Sequence, residues 1–405
     1  MHIKRNYILG VLNGIFFRIG TTFIDVNTIL PVLIQRLTGS ATFVGLIASL
    51  YKVGWFFPQA VSAYYLQDMP FKKPVYIRAS IARVFTLSSM TILVALANKV
   101  SHVTLLCSVV ALVATYSALS GFGSVAFMDI IARTVDPMLR ATFFSMRWAL
   151  GGILSIGAGY AAKWIIQHIN FPTNYSLLFG LSTTFIALSA AMFALAVEPT
   201  SPMPDKKENF REILTGGISL MRNDSAFRNL YLFRVMIAIW SSALPLYIVY
   251  ARKELGIAES FAGILAAVQI IGRILPNALW SYIGNKFGNR YILITSAFFA
   301  APMPFLALFL SEVPDSMKLA LLGLIFFSGA AALNGIIVGS LSYMLDIAPE
   351  HVRPKYIGVF NTYIAPWMLL PTLAGWFAGN FGYIPLFKLA LLSAILALFL
   401  SSKLK

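Results

Sequence analysis

Cysteine is almost missing from this chain. Cys107 is the single copy, so no intrachain disulfide can form, and four scattered histidines give no spacing that suits zinc or haem. Charge is scarce as well: 11% of the residues are charged and 59% hydrophobic, more apolar surface than a water-soluble core of ordinary size can hide. No nucleotide-binding loop, metal cluster or nucleophile–base constellation stands out, so neither enzymatic activity nor a cofactor is expected. Acids are outnumbered, 15 against 31 Lys and Arg, and the net charge of +16 raises the question of nucleic acid. Its placement answers that question. With a cytoplasmic N-terminus most of the basic residues fall in inner loops and inner helix ends, which is the positive-inside bias of a membrane protein.

What the chain does have is long apolar runs. A bilayer crossing needs about 20 such residues, and twelve runs qualify, at 8–35, 42–66, 75–97, 102–128, 142–165, 174–197, 226–250, 259–283, 291–311, 317–344, 356–378 and 383–402. Unalternating runs of this length satisfy their backbone only as helices. The expectation is an all-α integral protein of the plasma (inner) membrane with both termini cytoplasmic. The first run is read as a span rather than a cleavable signal, because a second span follows at once.

The second half repeats the first. At a constant offset of 218, Phe43 matches Phe261, Gly45 Gly263, Ala48 Ala266, Gly54 Gly272, Pro58 Pro276, Ala60 Ala278 and Tyr64 Tyr282. Upstream, Asn13-x-x-x-Phe17-Arg18 recurs as Asn229-x-x-x-Phe233-Arg234, with Pro31 answered by Pro245; downstream, Pro137-x-x-Arg140 is echoed by Glu350-x-x-Arg353. A repeat of half the chain in apolar sequence marks a secondary transporter built from two bundles with a substrate path between them. The expected division is a six-helix bundle at 1–198, a cytoplasmic linker at 199–224 and a second six-helix bundle at 225–405. Within the linker, Phe210, Ile213, Leu214 and Leu220 are spaced for a short interfacial helix that tethers the bundles.

Two loops then carry a resemblance. Asp68-Met-Pro-Phe-Lys72-Lys73, between spans two and three, and Asn285-Lys286-Phe-Gly288-Asn-Arg290, at the matching place in the second half, are similar to the loop motif of the major facilitator superfamily. The first lacks the glycine of that motif and the second its acid. The likeness extends over essentially the whole chain and implies twelve transmembrane helices in two pseudo-symmetric bundles. It also implies that the loop charges of Asp68, Lys72 and Lys73 latch helices in one state and release them in another, although the lysines equally serve topology. In span five, Gly151-x-x-x-Ser155-x-x-x-Gly159 is a ladder of small residues suited to close helix approach; the antiporter motif of the family has a proline there that this chain lacks.

Ionisable residues inside spans are functional candidates by default. Arg18 and Arg234 are repeated, and resemble the paired arginines of the family's organophosphate/phosphate antiporters; guanidinium suits bidentate recognition of phosphate or carboxylate. Hairpin geometry sets Arg18 level with Gln59 and Arg234 level with Asn277, only some 10 Å from the inner surface, so an inner-gate pair and a substrate contact are both open. Asp25, Lys52 and Arg273 are unrepeated, their counterparts being Ser241, Ile270 and Trp55. Asp25 and Lys52 should lie at one height and pair, either as a static bridge or as a proton-coupling device. Arg273, with Gln269 one turn away, is expected to face the cavity, whereas Asn334 and Asn361 read as helix–helix glue. At the inner turns Asp129, Arg133, Arg140 and Arg147 are matched by Asp346, Glu350 and Arg353, a pattern that suits an inward gate.

Four span cations, Arg18, Lys52, Arg234 and Arg273, face the single span acid Asp25. The functional expectation is a secondary active transporter of a small anionic or zwitterionic solute working by alternating access, with protons as a coupling ion and a monomer as the working form. An exporter of amphiphilic compounds and a non-transporting receptor or assembly subunit are the alternatives.

Overall fold

The computed structural model describes residues 2–66, 69–136, 139–200, 221–348, 360–361 and 363–404, and no strand occurs among them. Among the described residues ten helical segments are long and apolar enough to cross a membrane. Six of these run as single helices: Ala41–Leu66, Lys73–Ala95, His102–Thr134, Thr173–Ala194, Asp315–Ile347 and Tyr383–Ser402, for spans two, three, four, six, ten and twelve. Span five is Arg140–His168. The two expected spans outside that set of ten are assembled from shorter pieces: His2–Thr22 with Ile29–Thr38 for span one, and Ala365–Leu369 with Leu370–Phe381 for span eleven.

The interruptions have local causes. In span one the Asp25 carboxylate accepts from the Asn27 amide and the Thr28 hydroxyl, both at 2.9 Å. A side chain that captures nearby donors in this way offers the backbone an alternative to the helix. The helix resumes at Ile29, with Pro31 in its first turn, where a missing N–H costs little. Span seven breaks at the equivalent place without an acid: Ser225–Ser242 gives way to Leu244–Leu255, with Pro245 in the first turn of the second piece. The repeated prolines of spans two and eight behave differently. Pro58 is carried inside a continuous helix, whereas Pro276 separates Phe261–Ile274 from Asn277–Phe287. Span nine is likewise split, into Asn289–Ala300 and Pro302–Leu308.

Two compact units emerge. The first holds residues 1–39, 50–208 and 259–267; the second holds 40–49, 209–258 and 268–405. They follow the halves of the repeat except that one matched segment, the start of span two and the start of span eight, is exchanged. The amphipathic stretch at 210–220 lies outside the described residues. Inside the first unit span one packs on five and six, and span three on four and six; inside the second, span seven packs on twelve and span nine on ten and twelve.

Close approach is concentrated at glycines. In unit 1 a side chain on Gly263 would meet the Gly159 carbonyl and the Lys163 amide at 2.5 Å, so the small-residue ladder of span five is where span eight rests. In unit 2 the repeat-related Gly45 lies against the Pro371 carbonyl, and Gly375 against the Ala41 carbonyl. Ser49 reinforces that contact, donating to the Leu369 carbonyl at 3.0 Å and accepting from the Thr372 amide at 2.9 Å. Replacing Gly45 by Ala should lower the unfolding midpoint of the detergent-purified protein, with a cost of about 1–3 kcal/mol for the forced overpacking. Gly157→Ala, at a glycine with open space around it, should leave the midpoint unchanged or raise it.

Candidate functional site

The span cations do not share one environment. Arg18 lies with its guanidinium 3.9 Å from the ring centre of Trp148 and its stem against Gly151, packed on span five. Arg234, its repeat partner, donates to the Ser340 hydroxyl at 3.4 Å, and its buried Nε has no partner among the described residues. Lys52 and Arg273 are half-buried and have no hydrogen bond, ion pair or ring contact among the described residues. The expected Asp25–Lys52 pair is therefore not formed. Asp25 spends its carboxylate on its own turn, because a donor two or three residues away costs less chain ordering than one on a neighbouring helix.

Of the neutral candidates, Asn277 accepts from Asn334 at 2.5 Å, tying spans eight and ten as the glue reading requires. Gln269 is buried and Gln59 half-buried. Arg83 is a further buried cation, donating to Ser80 at 2.7 Å between the rings of Phe17 and Tyr76.

The basic end of unit 1 carries a built charge network. Lys72 pairs with Asp129 at 2.9 Å, Asp129 also takes Arg133 one turn along the helix, and Arg133 reaches Glu198 at 2.9 Å. Glu198, whose side chain is 3% exposed, also accepts the backbone amides of Lys72 and Lys73 at 2.8 Å each. That carboxylate joins the start of span three to the ends of spans four and six. Unit 2 repeats the geometry with one charge removed: Asn289, equivalent to Lys72, donates to Asp346 at 2.9 Å. Lys73 donates to the Ala196 carbonyl at the end of span six, and Arg290 to the Leu404 carbonyl at the end of span twelve. Three of the expected gate residues, Lys72, Lys73 and Asp129, are thus brought together. Asp68 and Arg353 lie outside the described residues, as does the side chain of Arg140.

Arg147 leaves the loop cluster for the interior of the bundle. It donates to the Gly10 carbonyl and to Asn13, and Asn13 in turn donates to Tyr76 and to the Ser189 hydroxyl. This joins spans one, three, five and six; the repeated Asn229 binds the Lys403 carbonyl at the end of span twelve instead.

A second constellation was not anticipated. Glu259, just before span eight, accepts from the Tyr175 hydroxyl at 2.5 Å and pairs with Arg36 at 3.1 Å, while Arg36 rests 4.5 Å from the ring centre of Phe171. Its signal was available, since the repeat position of Glu259 is Ala41, the same loss of symmetry that singles out Asp25. Glu198 carried a weaker one: an acid before Pro199 at a span end otherwise rich in basic residues.

Residues 235–404 match the family model described as Major Facilitator Superfamily. Solved structures with the same fold include a bacterial homologue of the iron transporter ferroportin in an inward-facing state, at TM-score 0.76 and 14% identity over 100% of this chain and 99% of that one. A D-xylose-proton symporter follows at TM-score 0.72 and 14% identity, over 99% and 97%. Among curated proteins, an uncharacterized protein of Mycobacterium tuberculosis is 24% identical over 61% of this chain and 48% of its own length, so the chain spans about half of that relative. Sugar efflux transporter B of Salmonella typhimurium is 25% identical over 71% of this chain and 70% of its own length. The family match thus covers the second half of the chain, and the likeness to the solved structures is one of fold over its whole length.

Glu198→Gln removes the charge that Arg133 meets while keeping a side chain of the same shape. A hydrogen bond to a charged group contributes about 1.5–3 kcal/mol, so the variant should unfold at a lower midpoint in low salt. Asp346→Asn, whose parent carboxylate is exposed and meets a neutral amide, should change it by much less.

Proposed function

We propose that the chain is a secondary active transporter that moves a small anionic or zwitterionic solute by alternating access. The observation that carries this reading is that Lys52 in unit 1 and Arg273 in unit 2 sit within spans with no counter-charge among the described residues. A charge held in a span without a partner costs several kcal/mol, and a solute of opposite charge offsets that cost when it binds. Arg234, which donates to Ser340 at 3.4 Å, adds a third donor set of the same sign. Protons are the coupling ion in this proposal and Asp25 the group that exchanges them, because it stands at the interruption of span one between His2–Thr22 and Ile29–Thr38 rather than at a loop end. With no bridge to Lys52, exchange at Asp25 works through its own turn, where Asn27 and Thr28 donate to the carboxylate.

A second reading is export of a neutral sugar, favoured by the Salmonella relative named as a sugar efflux transporter. It leaves the span cations without a role in recognition.

Counterflow in liposomes with purified protein separates the two, using anions, zwitterions and neutral sugars with and without a pH gradient. An anionic or zwitterionic solute should exchange, and Arg273→Ala should raise its KM roughly ten- to hundredfold, the loss of one charge-assisted contact. Unchanged KM in that variant sinks the anion reading, and exchange of sugars alone replaces it with the second. Asp25→Asn should keep counterflow but lose accumulation driven by a pH gradient; retained accumulation removes Asp25 from coupling.

A further inference from the structure

Spans three and six of unit 1 leave an open cleft between them that runs along the helices. Toward the basic end it widens to about 600 Å3, lined by Arg5, Phe71, Lys73, Pro74 and the end of span six from Ala194 to Glu198. Ile77 and Ala194 also line a second, apolar stretch of about 290 Å3, so the two are continuous. The floor of the apolar stretch is Ala187, Ala190, Ala191 and Ala194, which share one face of span six at helical spacing. Its wall is Ile77, Ile81 and Val84 of span three, with Ser80 the single polar member.

The two cations at the wide end are positioned by neutral groups. Arg5 donates to the Leu195 carbonyl at 2.8 Å and Lys73 to the Ala196 carbonyl at 2.6 Å, contacts that orient both side chains without cancelling either charge. Each retains further N–H donors, and neither pairs with a carboxylate among the described residues. The one carboxylate in the lining, Glu198, is 3% exposed and already accepts from Arg133 and from two backbone amides. The cleft therefore presents net positive charge at one end and an apolar channel along the rest.

We propose that this cleft holds one acidic phospholipid of the cytoplasmic leaflet, with its phosphate on Arg5 and Lys73 and an acyl chain laid along the alanine face of span six. Charge complementarity selects the headgroup: two uncompensated cations favour a lipid with net negative charge over a zwitterionic one. Continuity with the apolar stretch selects a lipid over free phosphate, which has nothing to place there. The lipid bridges the ends of spans one, three and six, the same ends that the Glu198 network joins, and so adds to the stability of that network from the membrane side.

Native mass spectrometry of the delipidated full chain tests this, with phosphatidylglycerol and phosphatidylcholine of identical chains as probes. Each basic residue near an anionic lipid contributes roughly a fivefold preference, so phosphatidylglycerol should be retained about twentyfold better. Arg5→Gln should cut that preference about fivefold. Ala191→Phe, which fills the channel from an exposed position, should lower retention of both lipids and leave their ratio unchanged; Ala191→Leu serves if the larger side chain lowers the unfolding midpoint. Equal retention of the two lipids, indifference to Arg5→Gln or to filling the channel, or displacement of phosphatidylglycerol by excess inorganic phosphate would each overturn the proposal.

Discussion

In each unit two helices approach so closely that a methyl group has no room between them, and much of the architecture is arranged around these contacts. Lipid offers helices no hydrophobic incentive to associate, so their attraction must come from dispersion and from hydrogen bonds made at short range. Glycine is what permits that range. Gly263 against Gly159 in unit 1 and Gly45 against Pro371 in unit 2 occupy repeat-equivalent positions. Gly54 against Ser117 and Gly272 against Phe327 form a second such pair, setting spans two and eight on spans four and ten. The glycines that first revealed the repeat are therefore its contact points.

Charges are handled by a different rule. At the basic end of unit 1 Asp129 and Glu198 are each shared among several donors, and Lys72, Lys73 and Arg133 are paired or held on carbonyls. Deeper in the spans Arg18 meets the Trp148 ring and Arg234 the Ser340 hydroxyl, while Lys52 and Arg273 have no partner among the described residues. The contrast separates charge that stabilises the bundle from charge left available to a solute.

The fold was legible because its signals are long-range and redundant: run length, charge bias and a repeat all converge on twelve helices. The site was less so. Height along a hairpin placed Asp25 and Lys52 together, but it could not foresee that Asn27 and Thr28 would claim the carboxylate locally. Glu259 escaped notice because it stands in a loop, where a charge ordinarily needs no explanation, and only the fold brings it to Arg36 and Tyr175. Asn334 was read correctly because an amide inside a span has few alternatives to a neighbouring helix. Depth and symmetry are written in the sequence, whereas the choice among competing donors is settled by packing.

The exchange of segments has a bearing on how the protein is made. Tyr175 and Glu259 are separated by 84 residues, yet residues 259–267 belong to the first compact unit. Translation proceeds at about 5–20 residues per second, so Tyr175 stands roughly 4–17 seconds before Glu259 is made. During that interval Arg36, Tyr175 and the glycine face of span five await a partner still on the ribosome. The first unit is thus completed only after the second has begun to be made, and a chain arrested between spans seven and eight would leave the first unit unsealed in the membrane.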